Sequence, residues 1–165
     1  MGFFTVIKGT GFWGDENIAL ELAKRRAGID DLSLKPESEY SMIAGRFLTL
    51  EEFRAKGFKK ISFSGTQFST KVEHNSVISA TISLVYKDGF KAGWAFSPKI
   101  WDDPTDFAPY NLAIEESEKM AKYFYSKSTR IEIPEPVTFS VMRKAKPDEN
   151  KGYLALVIGV LFASD

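Results

Sequence analysis

The chain has 165 residues, the length of one ordinary domain, and its 44% hydrophobic and 14% aromatic content supplies a substantial core, which excludes a disordered chain. Its 22 basic side chains equal its 22 acidic ones, a balance that argues against both an obligate polyanion binder and an acidic mimic of nucleic acid. With no cysteine and one histidine, His74, cysteine-based zinc sites, thiol catalysis, disulfides and haem attachment through cysteine drop out.

Met1 to Val6 has neither the basic segment nor the apolar run of a secretory leader, and it fails the myristoylation pattern at Val6. The cytoplasm is the default compartment. Phe3 to Lys8 predicts a short first strand, which Gly9 to Gly14 should break. A helix follows, with Asp15 as N-cap, Ile18, Ala19, Leu22 and Ala23 on one face, and Gly28 just past its end. Gly28 to Leu48 contains Pro36 and predicts a loop with at most a helical turn around Tyr40 to Ala44. Thr49-Leu50-Glu51-Glu52 is a capping box opening a brief helix that Gly57 ends, and Lys59 to Ser64 should return as a strand.

Ser76 to Phe96 carries the clearest pattern. Ile78, Ala80, Ile82, Leu84 and Tyr86 alternate with Ser79, Thr81, Ser83 and Val85, and the alternation resumes at Phe90, Ala92, Trp94 and Phe96. A three-residue loop with Gly89 left-handed would pair Tyr86 with Phe90, Leu84 with Ala92 and Ile82 with Trp94, leaving the Ser/Thr face wet. Ser97 to Ala108 reads as a long connection. The main helix should run from about Pro109 to Tyr125, with Ala113, Ser117, Met120, Ala121 and Phe124 inward. Thr129 to Ile133 predicts a short edge strand, and Val137 to Lys144 with Tyr153 to Phe162 predicts a second hairpin. The last strand is apolar on both faces, as a central strand covered on both sides would be; its apolar run, Tyr153 to Ala163, is about half the ~20 residues of a membrane span. The expected whole is one α+β domain over residues 1–165: a mainly antiparallel sheet built from hairpins, with two principal helices and one short one packed on it.

Four constellations could carry function. Gly9-Thr10-Gly11-Phe12-Trp13-Gly14 matches G-x-G-x-x-G between a predicted strand and helix, the setting in which a backbone approaches a pyrophosphate, and Asp30 and Asp31 fall near the ribose-binding distance. Against it, Asp15 and Glu16 put negative charge where phosphates would sit, and no βαβ unit follows. Asp102, Asp103 and Asp106 could hold Mg²⁺ or Ca²⁺, or could simply start turns around Pro104 and cap the long helix. Lys56, Lys59 and Lys60, with Arg143, Lys144 and Lys146, could flank an aromatic platform for single-stranded nucleic acid, although zero net charge weighs against it. Phe12, Trp13 and Trp101 stand in predicted loops beside Gly, Asp and Pro, where large aromatics serve as interface anchors when they do not fold back onto the core. His74 lies between two strands without an evident orienting acid, since Glu73 would point to the opposite side.

The leading expectation is a non-catalytic cytoplasmic binding protein (an inhibitor, an immunity-type protein or an accessory factor) acting through a protein partner or self-association, with Phe12, Trp13 and Trp101 as anchors. It calls for no cofactor and no membrane. A nucleotide-phosphate binder or enzyme using Gly9, Gly11 and Gly14, with a metal at Asp102, Asp103 and Asp106, is the alternative, and single-stranded nucleic-acid binding a second one.

Overall fold

Alternation along the first strand sets the layering. In β1 (Gly2–Trp13), Phe3 and Ile7 join one buried cluster while Phe4, Val6 and Phe12 join another, on the opposite face. The computed structural model describes residues 2–29, 40–73, 75–87, 91–128 and 132–164. β1 does not break at Gly9 as the glycines suggested; it continues to Trp13, paired throughout with β8 (Tyr153–Ser164). Helix α1 (Glu16–Ala27) covers its first face with Ala19, Ala23 and Ala27. Its ends are those the sequence predicts. Asp15 Oδ1 accepts from the Ile18 amide at 3.1 Å, and Gly28 takes a left-handed φ of 83° that closes the helix.

Residues 40–44, expected at most as a helical turn, form strand β2 (Tyr40–Ala44), followed by β3 (Arg46–Phe47). Backbone pairing overrides local propensity here, because β2 runs antiparallel to β6 (Lys91–Trp101) and β3 runs parallel to β1. The capping box holds: Thr49 Oγ1 accepts from the Glu52 amide at 3.2 Å, and Glu52 accepts from the Thr49 amide at 2.9 Å. The short α2 (Leu50–Ala55) that it opens buries Phe53.

β4 (Ile61–Lys71), β5 (Val77–Tyr86), α3 (Ala108–Ser128) and β7 (Val137–Lys144) complete the chain. The fold is α+β and mostly antiparallel, with two sheets where one was expected, ordered β3-β1-β8-β4 and β2-β6-β5-β7. Leu154, Leu156, Ile158 and Val160 of β8 meet Ile78, Ile82, Leu84, Trp94 and Phe96 of the other sheet, so the main core lies between the sheets. Ala155, Val157 and Leu161 face α1, which makes β8 the doubly covered central strand its sequence predicts. With α1 outside one sheet and α3 outside the other, the layers run helix, sheet, sheet, helix.

Several details differ from expectation. The β5–β6 hairpin keeps its predicted faces but slides by two residues, pairing Tyr86 with Ala92, Leu84 with Trp94 and Ile82 with Phe96; Asp88, Gly89 and Phe90 lie outside the described residues. A shift of two preserves side-chain parity, so facial consistency could not choose between these registers. β6 continues through Pro98 to Trp101, because β2 pairs only with residues 91–95 and leaves Pro98 on a free edge. β7 and β8 are not a hairpin: they lie in different sheets, and residues 145–152 cross between them. Of the strand expected at 129–133, residues 129–131 lie outside the described residues, and Glu132 and Ile133 are not in a strand.

The Ser/Thr face of β5 is buried rather than wet, because α3 lies on it. Thr81 Oγ1 donates to the Ala113 carbonyl at 3.0 Å, and Ser83 Oγ lies 2.7 Å from Ser117 Oγ and 2.9 Å from Thr138 Oγ1, which reaches Glu118 at 3.0 Å. Among the described residues, no helix is long and apolar enough to cross a membrane.

Candidate functional site

Both sheets present the same end to one loop. Trp13 closes β1 opposite Tyr153, which is itself opposite Lys71 at the end of β4. Val77 opens β5 between Trp101 and Lys144. The connection from Lys71 to Val77 is short and stapled on both sides: the Val72 amide donates to the Gly152 carbonyl at 2.7 Å, and the Ala145 amide to the Ser76 carbonyl at 2.9 Å. Within it, Ser76 Oγ accepts from the Glu73 amide at 2.9 Å, and Asn75 holds a φ of 58°, a left-handed conformation that asparagine tolerates better than most side chains.

Two grooves flank this loop. One, of about 320 Å³, runs along Thr70, Lys71, Glu73 and Ser76 and is walled by Ile100, Trp101 and Asp102. The other, of about 480 Å³, lies between Glu73, Asn75 and the 145–150 turn. Glu73 borders both. The floor of the second is fixed by Glu149, only 8% exposed, whose carboxylate accepts from Arg143 at 2.7 Å and from the Lys146 amide at 2.9 Å. A carboxylate that buried requires such a partner.

The three candidate anchors differ in availability. Trp101 Nε1 donates to the Asp103 carbonyl at 2.8 Å, which fixes the indole in the groove wall. Asp103 in turn accepts from the Thr105 hydroxyl at 2.6 Å and the Thr105 amide at 2.9 Å, and these bonds hold its carboxyl below the usual aspartate range. Trp13 is 53% exposed, with Ile100 at 51% and Phe107 at 48% on the same end. Phe12 points the other way, as strand alternation requires, and is partly buried at the rim of the core between the sheets.

The other candidate residues have different surroundings. Gly9 and Gly11 sit in β1 beneath α1, where a β-carbon on Gly11 would stand 2.5 Å from the Ala19 carbonyl oxygen; Gly14, beyond the strand, faces open space. The groove that Asp102 lines contains none of these glycines. Asp106 caps α3 by accepting from the Ala108 amide at 2.9 Å, and among the described residues no three acidic or histidine side chains converge to hold a metal. Lys59 and Lys60 lead into β4 at the end opposite the grooves, some 30 Å from Arg143 and Lys144 at ~3.3 Å per strand residue. Lys56 Nζ lies 4.9 Å over the Phe3 ring and Lys144 Nζ 5.1 Å over that of Phe107, while Lys146 lines the larger groove. His74, Asp30 and Asp31 lie outside the described residues.

Sequence reasoning missed Glu73 and the Arg143–Glu149 pair. The signal present was the turn Lys146-Pro147-Asp148-Glu149, in which the carboxylate returns to the amide three residues back. Chemically the end offers fixed aromatic surface beside Lys71, Glu73 and Asp102. The one hydroxyl of the described groove loop, Ser76 Oγ, is engaged with both the amide and the carbonyl of Glu73.

Compared with known proteins, the chain matches no protein-family model and no curated sequence.

Proposed function

We propose that this chain is a cytoplasmic, non-catalytic binding protein that docks a protein partner on the end of the sandwich bearing Trp13 and Trp101. What supports this reading is that two tryptophans 88 positions apart in sequence (101 minus 13) each close a strand at the same end of the sandwich, Trp101 fixed by a hydrogen bond into a groove wall and Trp13 half exposed on the other sheet. A pre-oriented indole loses little freedom on binding, which is why such side chains concentrate interface energy. Lys71, Glu73 and Asp102 around the groove supply mixed charge, suited to a partner segment with polar groups of both signs beside an apolar anchor. Phe12, turned into the core between the sheets, anchors the end of β1 rather than offering contact surface.

The test is site-specific photo-crosslinking in cells from position 101 and position 13, with the exposed position 119 of α3 as control. A single adduct from the first two positions, reduced at least about tenfold by alanine at the other tryptophan, is the expected result. Equal adducts from all three positions, or adducts unaffected by Trp101→Ala and Trp13→Ala, would overturn it.

A further inference from the structure

Helix α3 buries one face and keeps an ordered one outside. Ala113, Ser117, Ala121 and Tyr125 turn inward and are buried. On the opposite side Leu112, Glu116, Lys119 and Tyr123 follow one line, spaced four, three and four residues apart, and all four are exposed. Leu112 is 46% exposed, and Tyr123, whose ring meets that of Phe124 edge-on at 5.2 Å, is still 50% exposed. Single apolar side chains at a surface are ordinary. Here the order carries the information: apolar, acid, base, apolar is its own complement when reversed, and the spacing is that of the seam of a two-helix coiled coil. The charges on this side are not spent within the chain. Among the described residues Glu115, Lys119 and Lys122 belong to no ion pair, and Glu116 holds Ser97 and Lys99 through Oε2 alone.

We propose that α3 pairs antiparallel with α3 of a second copy of this chain, about a two-fold axis passing between Ser117 and Glu118, so that two sandwiches stack through these outer layers. The axis sets Leu112 on Tyr123 of the second copy and Glu116 on its Lys119, and symmetry repeats each contact. Beside this seam Glu115 comes opposite Lys122 of the second copy, at the flanking positions where paired helices exchange charge. Acid meets base at every charged position. Met120, 39% exposed on the other flank, adds apolar surface. A parallel second helix would instead set Glu116 on Glu116 and Lys119 on Lys119, so charge selects the antiparallel arrangement. The inference does not rest on the tryptophan end. A crosslinker in place of Lys119 removes the central pair, so the two tests stay separate.

Sedimentation equilibrium over a concentration series up to roughly 500 μM, which covers the dissociation constants of so small a contact, tests it. Wild type should approach twice the 18.5 kDa chain mass. Glu115→Lys sets cation against cation at both flanks, and Lys122→Glu sets anion against anion, so each variant alone should dimerise at least about tenfold more weakly. An equimolar mixture of the two variants brings opposite charges together again at both flanks and should regain the wild-type mass. Glu115 is exposed and Lys122 partly so, and recovery in the mixture separates lost pairing from lost structure. A monomeric wild type, or a mixture no heavier than its components, would overturn the proposal.

Discussion

A β-carbon on Gly11 would lie 2.5 Å from the carbonyl oxygen of Ala19 and 2.9 Å from the amide nitrogen of Ala23. The neighbouring glycine on the same face, Gly9, would meet the Ala27 amide at 2.7 Å. Helix α1 therefore rests on bare backbone, with alanines at 19, 23 and 27 as its own half of the contact. Gly11→Ala should destabilise the fold by about 1–3 kcal/mol, because neither backbone can retreat without disturbing the other. Gly14→Ala, with open space around it, should cost well under 1 kcal/mol. Urea melts of the two variants check this, and equal midpoints would refute it.

The Arg143–Glu149 pair yields a second prediction. Arg143→Ala should destabilise by about 3–5 kcal/mol, since it leaves a nearly enclosed carboxylate with one backbone amide. Adding Glu149→Ala should recover part of that loss. A double-mutant cycle by chemical denaturation measures the coupling.

Glu116 gives a pH dependence. Hydrogen bonds from Lys99 at 2.8 Å and Ser97 at 2.7 Å hold its carboxyl below the ordinary glutamate range. Because its folded pKa is depressed, its contribution to stability is fully present above about pH 4.5 and is lost as the pH falls through the lower folded value. The effect is small, as the carboxylate is half exposed. Melting temperatures of wild type and Glu116→Gln should converge as the pH drops from 6 to 3; a constant gap would exclude this role.

The hydroxyls under α3 form a fourth test. Ser117→Ala removes the group that meets both Thr81 at 3.1 Å and Ser83 at 2.7 Å. A loss of about 1–2 kcal/mol is expected, as buried hydroxyls lose a partner. Ser126→Ala, on the exposed side of the same helix, should change stability by less than about 0.5 kcal/mol. Thermal denaturation distinguishes the two.

Much of the fold was legible wherever a local rule decided it. Asp15, Gly28 and the Thr49–Glu52 box marked helix ends through groups that satisfy backbone donors within three residues. The two apolar faces of residues 153–163 announced a covered strand. The sequence was mute where the answer depended on what lies across a layer. Gly9 and Gly11 read as a loop because nothing nearby says that a helix will sit on them, and Ser79, Thr81 and Ser83 read as wet because the helix that covers them, and that bonds Thr81 and Ser83, lies more than thirty residues away. The hairpin register slipped by two for a related reason, since period two cannot tell one even offset from another. At the candidate site, Trp13 and Trp101 were recognisable as aromatic singletons, but Glu73 and Glu149 became visible only when the crossing connections brought their loops together.

β1 and β8, the first and last strands of the described chain, pair along twelve residues, and β8 also carries β4. One of the two described sheets is therefore built on β8. During synthesis β1 and β4 remain without their common neighbour until residues 153–164 have emerged, and such distant closure makes for slow acquisition of structure and a long window in which chaperones have exposed strand to bind.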